Sequence, residues 1–327
     1  MTSFFLNAKS VLASQIQRHA RIALVIALAL GALPSLTVAA PRPTPLIDEG
    51  RLWKQNTLLL KYARKMNPLS QAAGDGALGL NKKLPDKVLV DHQLEGWNWI
   101  RSGVALGNGF IVDRGIMAFE WAFARMKDDG AFGESKTIEI ANFLGLYARA
   151  VLLLKSAKLD EKAQRLERLT PRLEVSLRSP RSLLGEKRWD AAEKKTWVTH
   201  QRIQAAAAAY WIGRLLANPG LRKTADLWLE EALKRQEATG FFPSGIPAKS
   251  KAAARSQLEA LEALQGLAWS DATYAVRLRD PITKGFKWLE ATKAKPHGSP
   301  VTFATYGVWM KNSYAIKTAE AALKTAK

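Results

Sequence analysis

The sequence contains no cysteine, which excludes disulfides and a catalytic thiol. Histidine is scarce, with four in the whole chain and no His-x-x-x-His spacing. We therefore expect no metal site and no cofactor. A phosphate-binding glycine loop and a Gly-x-Ser-x-Gly nucleophile elbow are also missing. Strand-like alternation is nearly absent, so the sequence predicts an all-α fold.

The first 39 residues have the organisation of an export signal. Residues 1–21 carry three bases and no acid, an apolar run follows at 22–36, and small residues stand at Thr37 and Ala39. This order is typical of a secretory signal peptide cleaved after Ala39. The alternative is an uncleaved N-terminal anchor, because about 18 apolar residues can just span a bilayer. Both alternatives predict a periplasmic or secreted protein.

The formal net charge is +20. A chain this basic is attracted to polyanions, although high charge can also serve solubility alone. Outside the cytoplasm we expect an acidic polysaccharide as partner and no nucleic acid. Membrane contact is expected only if the N-terminal segment stays uncleaved. The sequence does not indicate the oligomeric state.

Helix-length segments dominate the chain after the proline-rich lead-in at 40–47. We predict helices at about 48–66, 87–105, 110–127, 135–158, 160–178, 196–217, 220–237, 250–269, 271–294 and 302–325. Glycine-bearing loops separate them in pairs, at Gly76, Gly130, Gly185, Gly240 and Gly298. The interval is about 55 residues, which predicts about five helical hairpins within a single domain, 48–327.

The helices that follow the glycine loops are rich in small residues, such as the five alanines at 205–209. Small residues let helices crowd around an axis, whereas the helices before the loops carry more charge and suit an outer layer. This difference favours a closed or nearly closed α/α toroid over an open solenoid.

Two of the loops carry a recognisable motif. Asp128-Asp129-Gly130-Ala131-Phe132 resembles the hairpin loops of α/α-toroid proteins, and Gln236 to Phe242 resembles the same loop with its aspartate lost. That superfamily includes polysaccharide lyases, six-hairpin glycosidases and terpenoid cyclases. The resemblance implies a toroid and a carbohydrate-active protein. The Asp-rich motifs of the cyclases and the Asn-Asn-His start of some alginate lyases are not present.

Polar residues recur at helical spacing in four of the five predicted inner helices, where they would face a central funnel. The alternative is that each stripe is a solvated surface face. The stripes consist of Asp91, Glu95, Asn98 and Ser102, then Ser135, Glu139 and Asn142, then His200 and Gln204, and finally Thr302, Tyr306, Trp309 and Ser313.

Within these stripes we predict His200, Tyr306, Glu139 and the loop residue Glu134 as candidate catalytic residues. His200 stands at a helix start, which keeps a histidine neutral and able to act as a base. Candidate substrate-binding residues are Asp91, Glu95, Asn98, Trp99, Arg101, Asn142 and Gln204. An indole, an amide and a guanidinium together suit a charged sugar, although Trp99 would equally suit a core and Glu134 a helix cap.

Three functions fit these residues. The first is a polysaccharide lyase that cleaves an acidic polysaccharide by β-elimination, with Arg101 or Asn142 neutralising the uronate, His200 as base and Tyr306 as acid. The second is a glycoside hydrolase that uses Glu134 or Glu139 with Asp91 or Glu95. The third is a noncatalytic polysaccharide-binding or scaffold protein of the cell envelope.

Overall fold

Helical periodicity and glycine punctuation produce a helical protein. The computed structural model describes residues 56–65, 74–84, 86–179, 182–184, 198–248, 250–292, 300–311, 316–317 and 319–321. The predicted signal segment 1–39, the lead-in 40–47 and the loops at Gly185 and Gly298 lie outside the described residues. Within the described ranges, all regular secondary structure is helical, which confirms the all-α class.

The α-helices of the described residues are named here in chain order. They are α1 (Thr57–Lys65), α2 (Glu95–Leu106), α3 (Gly109–Ala124), α4 (Thr137–Ser156), α5 (Asp160–Glu167), α6 (Thr170–Arg178), α7 (Thr199–Leu215), α8 (Pro219–Lys234), α9 (Lys251–Ser270), α10 (Ala272–Thr292) and α11 (Pro300–Met310). Two short 3₁₀ helices, Gly79–Lys82 and Val90–Gln93, precede α2.

Two predicted helices are divided in the structure. The segment expected at 87–105 is a 3₁₀ turn, Val90–Gln93, followed by α2, so Asp91 precedes the α-helix. The segment expected at 160–178 is α5 and α6. Pro171 stands in the first turn of α6, where its missing N–H costs nothing, whereas inside one continuous helix it would remove a hydrogen bond.

The helices pair as hairpins and pack side by side. Sequential pairs in contact are α2 with α3, α4 with α5, α7 with α8, and α9 with α10. Across the hairpins, α2 contacts α4, α4 contacts α7, α7 contacts α9, and α9 contacts α11. Helix α1 contacts both α2 and α11. Residues 45–327 form one compact unit.

The three described loop glycines have the same structural role. Each has a positive φ, and a Cβ atom on each would collide with the backbone of a later helix of the chain. The φ angles and nearest backbone atoms are 101° and Met117 O at 2.4 Å for Gly76, 80° and Ser176 Cα at 2.7 Å for Gly130, and 94° and Lys284 O at 2.1 Å for Gly240. Only glycine combines this conformation with so close an approach.

Two of these loops also share their hydrogen bonds. In the Gly130 loop, the backbone N–H of Ala131 donates to Asp129 Oδ1. In the Gly240 loop, the backbone N–H of Phe241 donates to Thr239 Oγ1. Lys127 and Glu237 each donate a backbone N–H to the carbonyl four residues later. The sequence likeness between the loops is therefore a likeness of structure, although threonine replaces aspartate in one.

Helix α4 is a long apolar helix whose residues are mostly buried. It is the one described helix long and apolar enough to cross a membrane, and 67% of its most apolar stretch is buried within the protein. Leu144 on α4 is fully buried, and Phe143 and Tyr147 are fully buried against the aromatic rings of α3. The apolar composition of α4 is thus used in helix packing.

Candidate functional site

A cavity of about 370 Å³ opens between α2, α4, α7 and α9, with the 3₁₀ turn Val90–Gln93 at its edge. Volumes of this size accommodate small ligands or a sugar unit. The described polar residues that line the cavity are Asp91, His92, Glu95, Asn98, Asn142, Arg149, Gln204, Glu259 and Glu262. The apolar lining includes Trp97 and Trp211.

Glu95 lies in the first turn of α2 and is held by its neighbours on the same helix. Asn98 Nδ2 donates to Glu95 Oε2 at 2.7 Å, and the Arg101 guanidinium donates to Asn98 Oδ1. Burial raises the pKa of the Glu95 carboxyl, and Glu262 adds to this effect, whereas the Asn98 hydrogen bond and Arg101 oppose it. Glu95 is therefore an oriented carboxyl group that tends to keep its proton.

Glu259 is a second carboxyl with a raised pKa in the same cavity. Burial is the main cause of the increase, and the hydrogen bond from Arg255 Nε, 3.0 Å long, opposes it. Glu262 lies one turn further along α9 and pairs with Arg101 Nη2 at 3.8 Å. Helix α9 thus presents two carboxyl groups to the cavity beside Glu95 on α2.

His200 lies behind Glu259, outside the cavity lining. Its Nε2 is 4.0 Å from Glu259 Oε2, and its Nδ1 has no hydrogen-bond partner among the described residues. Burial lowers the pKa of His200 to about 4, so the imidazole is neutral near pH 7. Burial of the imidazole, rather than its position at a helix start, is the cause of this lowered pKa.

Arg149 is the only described lysine or arginine that lines the cavity, and it lies between two indoles. Its guanidinium carbon is 4.7 Å from the ring centroid of Trp97 and 4.7 Å from that of Trp211. Trp211 is fixed by donation from Nε1 to Ser270 Oγ at 3.0 Å. Gly266 leaves the space required, because a Cβ there would be 2.6 Å from Arg149 Nη1. Two cation–π contacts hold this charge in place.

Two amides complete the lining. Asn142 on α4 and Gln204 on α7 face the cavity and make no hydrogen bond to any described residue. Buried or half-buried amides normally find partners. Their donors and acceptors are therefore available to a ligand.

Comparison of the chain with protein-family models, curated proteins and solved structures found no match. The function must therefore be argued from the cavity itself.

The cavity brings together five of the seven predicted substrate-binding residues, namely Asp91, Glu95, Asn98, Asn142 and Gln204. Arg101 is 3% exposed and lies behind Asn98 and Glu262, so it supports the lining. Trp99 is fully buried in a separate cluster with Leu78, Ile111 and Ala118. Each residue of an α-helix is rotated by about 100° from the one before it, so Trp97 and Trp99 point to nearly opposite sides of α2. Trp97 therefore reaches the cavity and Trp99 does not.

The predicted catalytic residues do not assemble around one substrate. Tyr306 is 1% exposed and stacks on Phe286 at a centroid distance of 3.7 Å. Glu139 closes the first turn of α4, where its Oε2 accepts the backbone N–H of Lys136 at 2.8 Å. Glu134 is on the surface, 3.2 Å from Lys87 Nζ. With His200 behind Glu259, none of the four lines the cavity.

Sequence reasoning missed Glu259, Glu262, Arg149 and Trp211. A signal for each was present. Arg149 and Trp211 stand seven residues after Asn142 and Gln204, which is two helical turns along the same face. Glu259 and Glu262 are three residues apart on the fourth predicted inner helix, the one without a predicted polar stripe.

Proposed function

We propose that the protein is a glycoside hydrolase with the cavity between α2, α4, α7 and α9 as its active site. The observation that supports this proposal is that two carboxyl groups with different surroundings line one cavity: Glu95, whose pKa is raised by burial, and Glu262, which pairs with Arg101 Nη2 at 3.8 Å. Glycoside hydrolysis needs one carboxyl that holds a proton near neutral pH and a second that is ionised.

The roles follow from the surroundings of each carboxyl group. Glu95, with Asn98 bonded to Oε2, would donate its proton from Oε1 to the leaving glycosidic oxygen. Glu262, which faces the Arg101 guanidinium, would accept the proton of the attacking water. The free amides of Asn142 and Gln204 would bond sugar hydroxyl groups.

We also propose that the helices close into an α/α toroid. The support is the order of the helix contacts, which runs from α1 to α2, α4, α7, α9 and α11 and returns from α11 to α1. Five of these six helices follow a glycine loop or its predicted position. A cavity bordered by four successive members of this series would lie at the funnel of a toroid.

The β-elimination hypothesis has less support from the geometry. It required His200 to take a proton from the sugar and Tyr306 to donate one, yet neither lines the cavity. Asn142 is available to a uronate, but Arg101 is already engaged by Asn98 and Glu262. Export to the periplasm or medium remains part of the proposal, supported by the pattern of residues 1–39 alone.

The test is an activity screen with short glycans of neutral, amino and acidic sugars. Hydrolysis would release reducing sugar without ultraviolet absorbance from an unsaturated uronate. Appearance of that absorbance would instead establish the lyase. Salt-dependent binding with no turnover of any glycan would reject both and favour the binding protein.

Glu95→Gln keeps the size of the side chain and removes the proton donor. We expect its turnover to fall by about 10²–10⁴-fold, the usual contribution of general acid catalysis. An aryl glycoside, whose leaving group needs little protonation, should be cleaved with a much smaller loss. Equal losses on both substrates would mean that Glu95 has only a structural role. Glu174→Gln, at an exposed position on α6, is the matched control and should remain fully active.

A further inference from the structure

The cavity lining is rich in carboxyl groups, although the chain as a whole is basic. The chain carries a formal charge of +20, yet its cavity is lined by four carboxyl groups and, among the described residues, one guanidinium. The carboxyl groups are Asp91 on the 3₁₀ turn, Glu95 on α2, and Glu259 and Glu262 on α9. They approach the cavity from three elements, so a bound group would meet carboxyl oxygens on several sides.

Local charge dominates the recognition of a ligand inside such a cavity. Exposed bases further away than about 8–10 Å are screened by salt, whereas groups that touch the ligand in a half-buried space are screened much less. The one guanidinium, Arg149, already lies between two indole faces. A uronate would therefore meet more carboxyl groups than guanidinium groups in this cavity.

We propose that the cavity binds a ligand with a primary ammonium group, and that the substrate of the proposed hydrolase is a glycan with free amino sugars. The substrate class rests on the proposed function, whereas the ammonium selectivity rests on the lining alone. An ammonium group has three donors for carboxylate oxygens, and Asn142 and Gln204 supply neutral partners for hydroxyl groups. Within the described residues no three acidic or histidine side chains are arranged to hold a metal ion.

The titration of the lining gives the proposal a pH signature. Burial raises the pKa of Glu95, which is faced by Asn98, Arg101, Glu262 and Tyr62. Burial also raises the pKa of Glu259, which is faced by Arg255, His200 and Glu262. A bound cation stabilises both carboxylates, so affinity for it should increase as the pH rises through these pKa values. Affinity for a neutral sugar should not follow this increase.

The experiment measures binding to the intact protein by calorimetry, with matched oligomers of glucosamine, N-acetylglucosamine and a uronic acid. We expect the glucosamine oligomer to bind at least about tenfold more tightly than its acetylated counterpart, as for a charge-assisted hydrogen bond. Equal affinities, or tighter binding of the uronate, would overturn the proposal. Tighter binding of calcium ions alone than of the glucosamine oligomer would also overturn the proposal.

Glu262→Gln and Asp91→Asn each remove one negative charge from the lining. Both should weaken glucosamine binding by about tenfold more than they weaken N-acetylglucosamine binding. Glu262→Gln removes the partner of Arg101 and could unfold the protein. Asp91 is exposed at the cavity edge, so Asp91→Asn tests the proposal even in that case. Glu174→Gln serves as the control with the same charge change at a distant site. No loss in Asp91→Asn or in a folded Glu262→Gln would refute the proposal.

The proposed function and this inference can fail separately. Amine-selective binding without release of reducing sugar would reject the hydrolase and retain the ammonium site. Equal hydrolysis of amino and acetylated oligomers, with equal affinities, would retain the hydrolase and reject the selectivity.

Discussion

Gly240 offers the sharpest test of the repeated loop structure. Gly240→Ala places a methyl group 2.1 Å from the carbonyl oxygen of Lys284, at a backbone φ of 94°. The conformation alone costs an L-residue roughly 1–2 kcal/mol. Moving the backbone of α10 to relieve the collision adds about 1–3 kcal/mol, as for other overpacked sites. We therefore expect Gly240→Ala to lose about 2–5 kcal/mol of unfolding free energy.

Gly107→Ala is the matched control. Gly107 ends α2 with a φ of 65°, but a Cβ there would have no neighbour within 4 Å. It should lose only the conformational part, about 1–2 kcal/mol. The difference between the two variants isolates the contact between the loop and α10.

Urea and thermal unfolding, followed by circular dichroism at helical wavelengths, measure both variants. In a domain of this size each kcal/mol lowers the melting temperature by about 2–4 °C, so the two variants should be clearly separated. Equal destabilisation would show that the methyl group fits beside Lys284 without the predicted cost of the collision. The role assigned to Gly76 and Gly130 would then fail as well.

Two further predictions concern buried polar groups. Because burial lowers the pKa of His200 to about 4, the unfolded chain takes up its proton first as the pH falls below about 6.5, and the stability that His200 contributes above this pH is lost down to about 4. The raised pKa of Glu259 changes stability with pH in the opposite direction, so the effect of His200 is measured as the difference between the wild type and His200→Gln. Parallel curves of stability against pH for these two proteins would contradict the prediction. Tyr147→Phe removes the hydroxyl that donates to Leu166 O at 3.0 Å, and we expect a loss of about 1–3 kcal/mol in urea unfolding. Wild-type stability in Tyr147→Phe would show that this carbonyl finds another partner.

The sequence by itself determined the helical class, most boundaries of the described helices and the positions of the three described glycine loops. These properties depend on local chemistry: a 3.6-residue apolar period, prolines and glycines at helix ends, and side chains such as Asp129 that bond their own turn. Gly130 and Gly240 could be identified as equivalent because each adopts a conformation that only glycine tolerates well. The same local logic placed Glu95, Asn98, Asn142 and Gln204 on inward faces.

The tertiary structure alone decided which inward faces meet. Spacing assigns a residue to a helix face, but the rotation of that helix against its neighbours determines whether the residue reaches a cavity, a cap or the core. Glu139 therefore caps α4, although it lies one turn from Asn142, and Tyr306 stacks in the core. The carboxyl-rich lining of the cavity also became visible only when α9 brought Glu259 and Glu262 beside Glu95. Net charge sums over the whole chain, whereas a ligand meets only the groups that touch it.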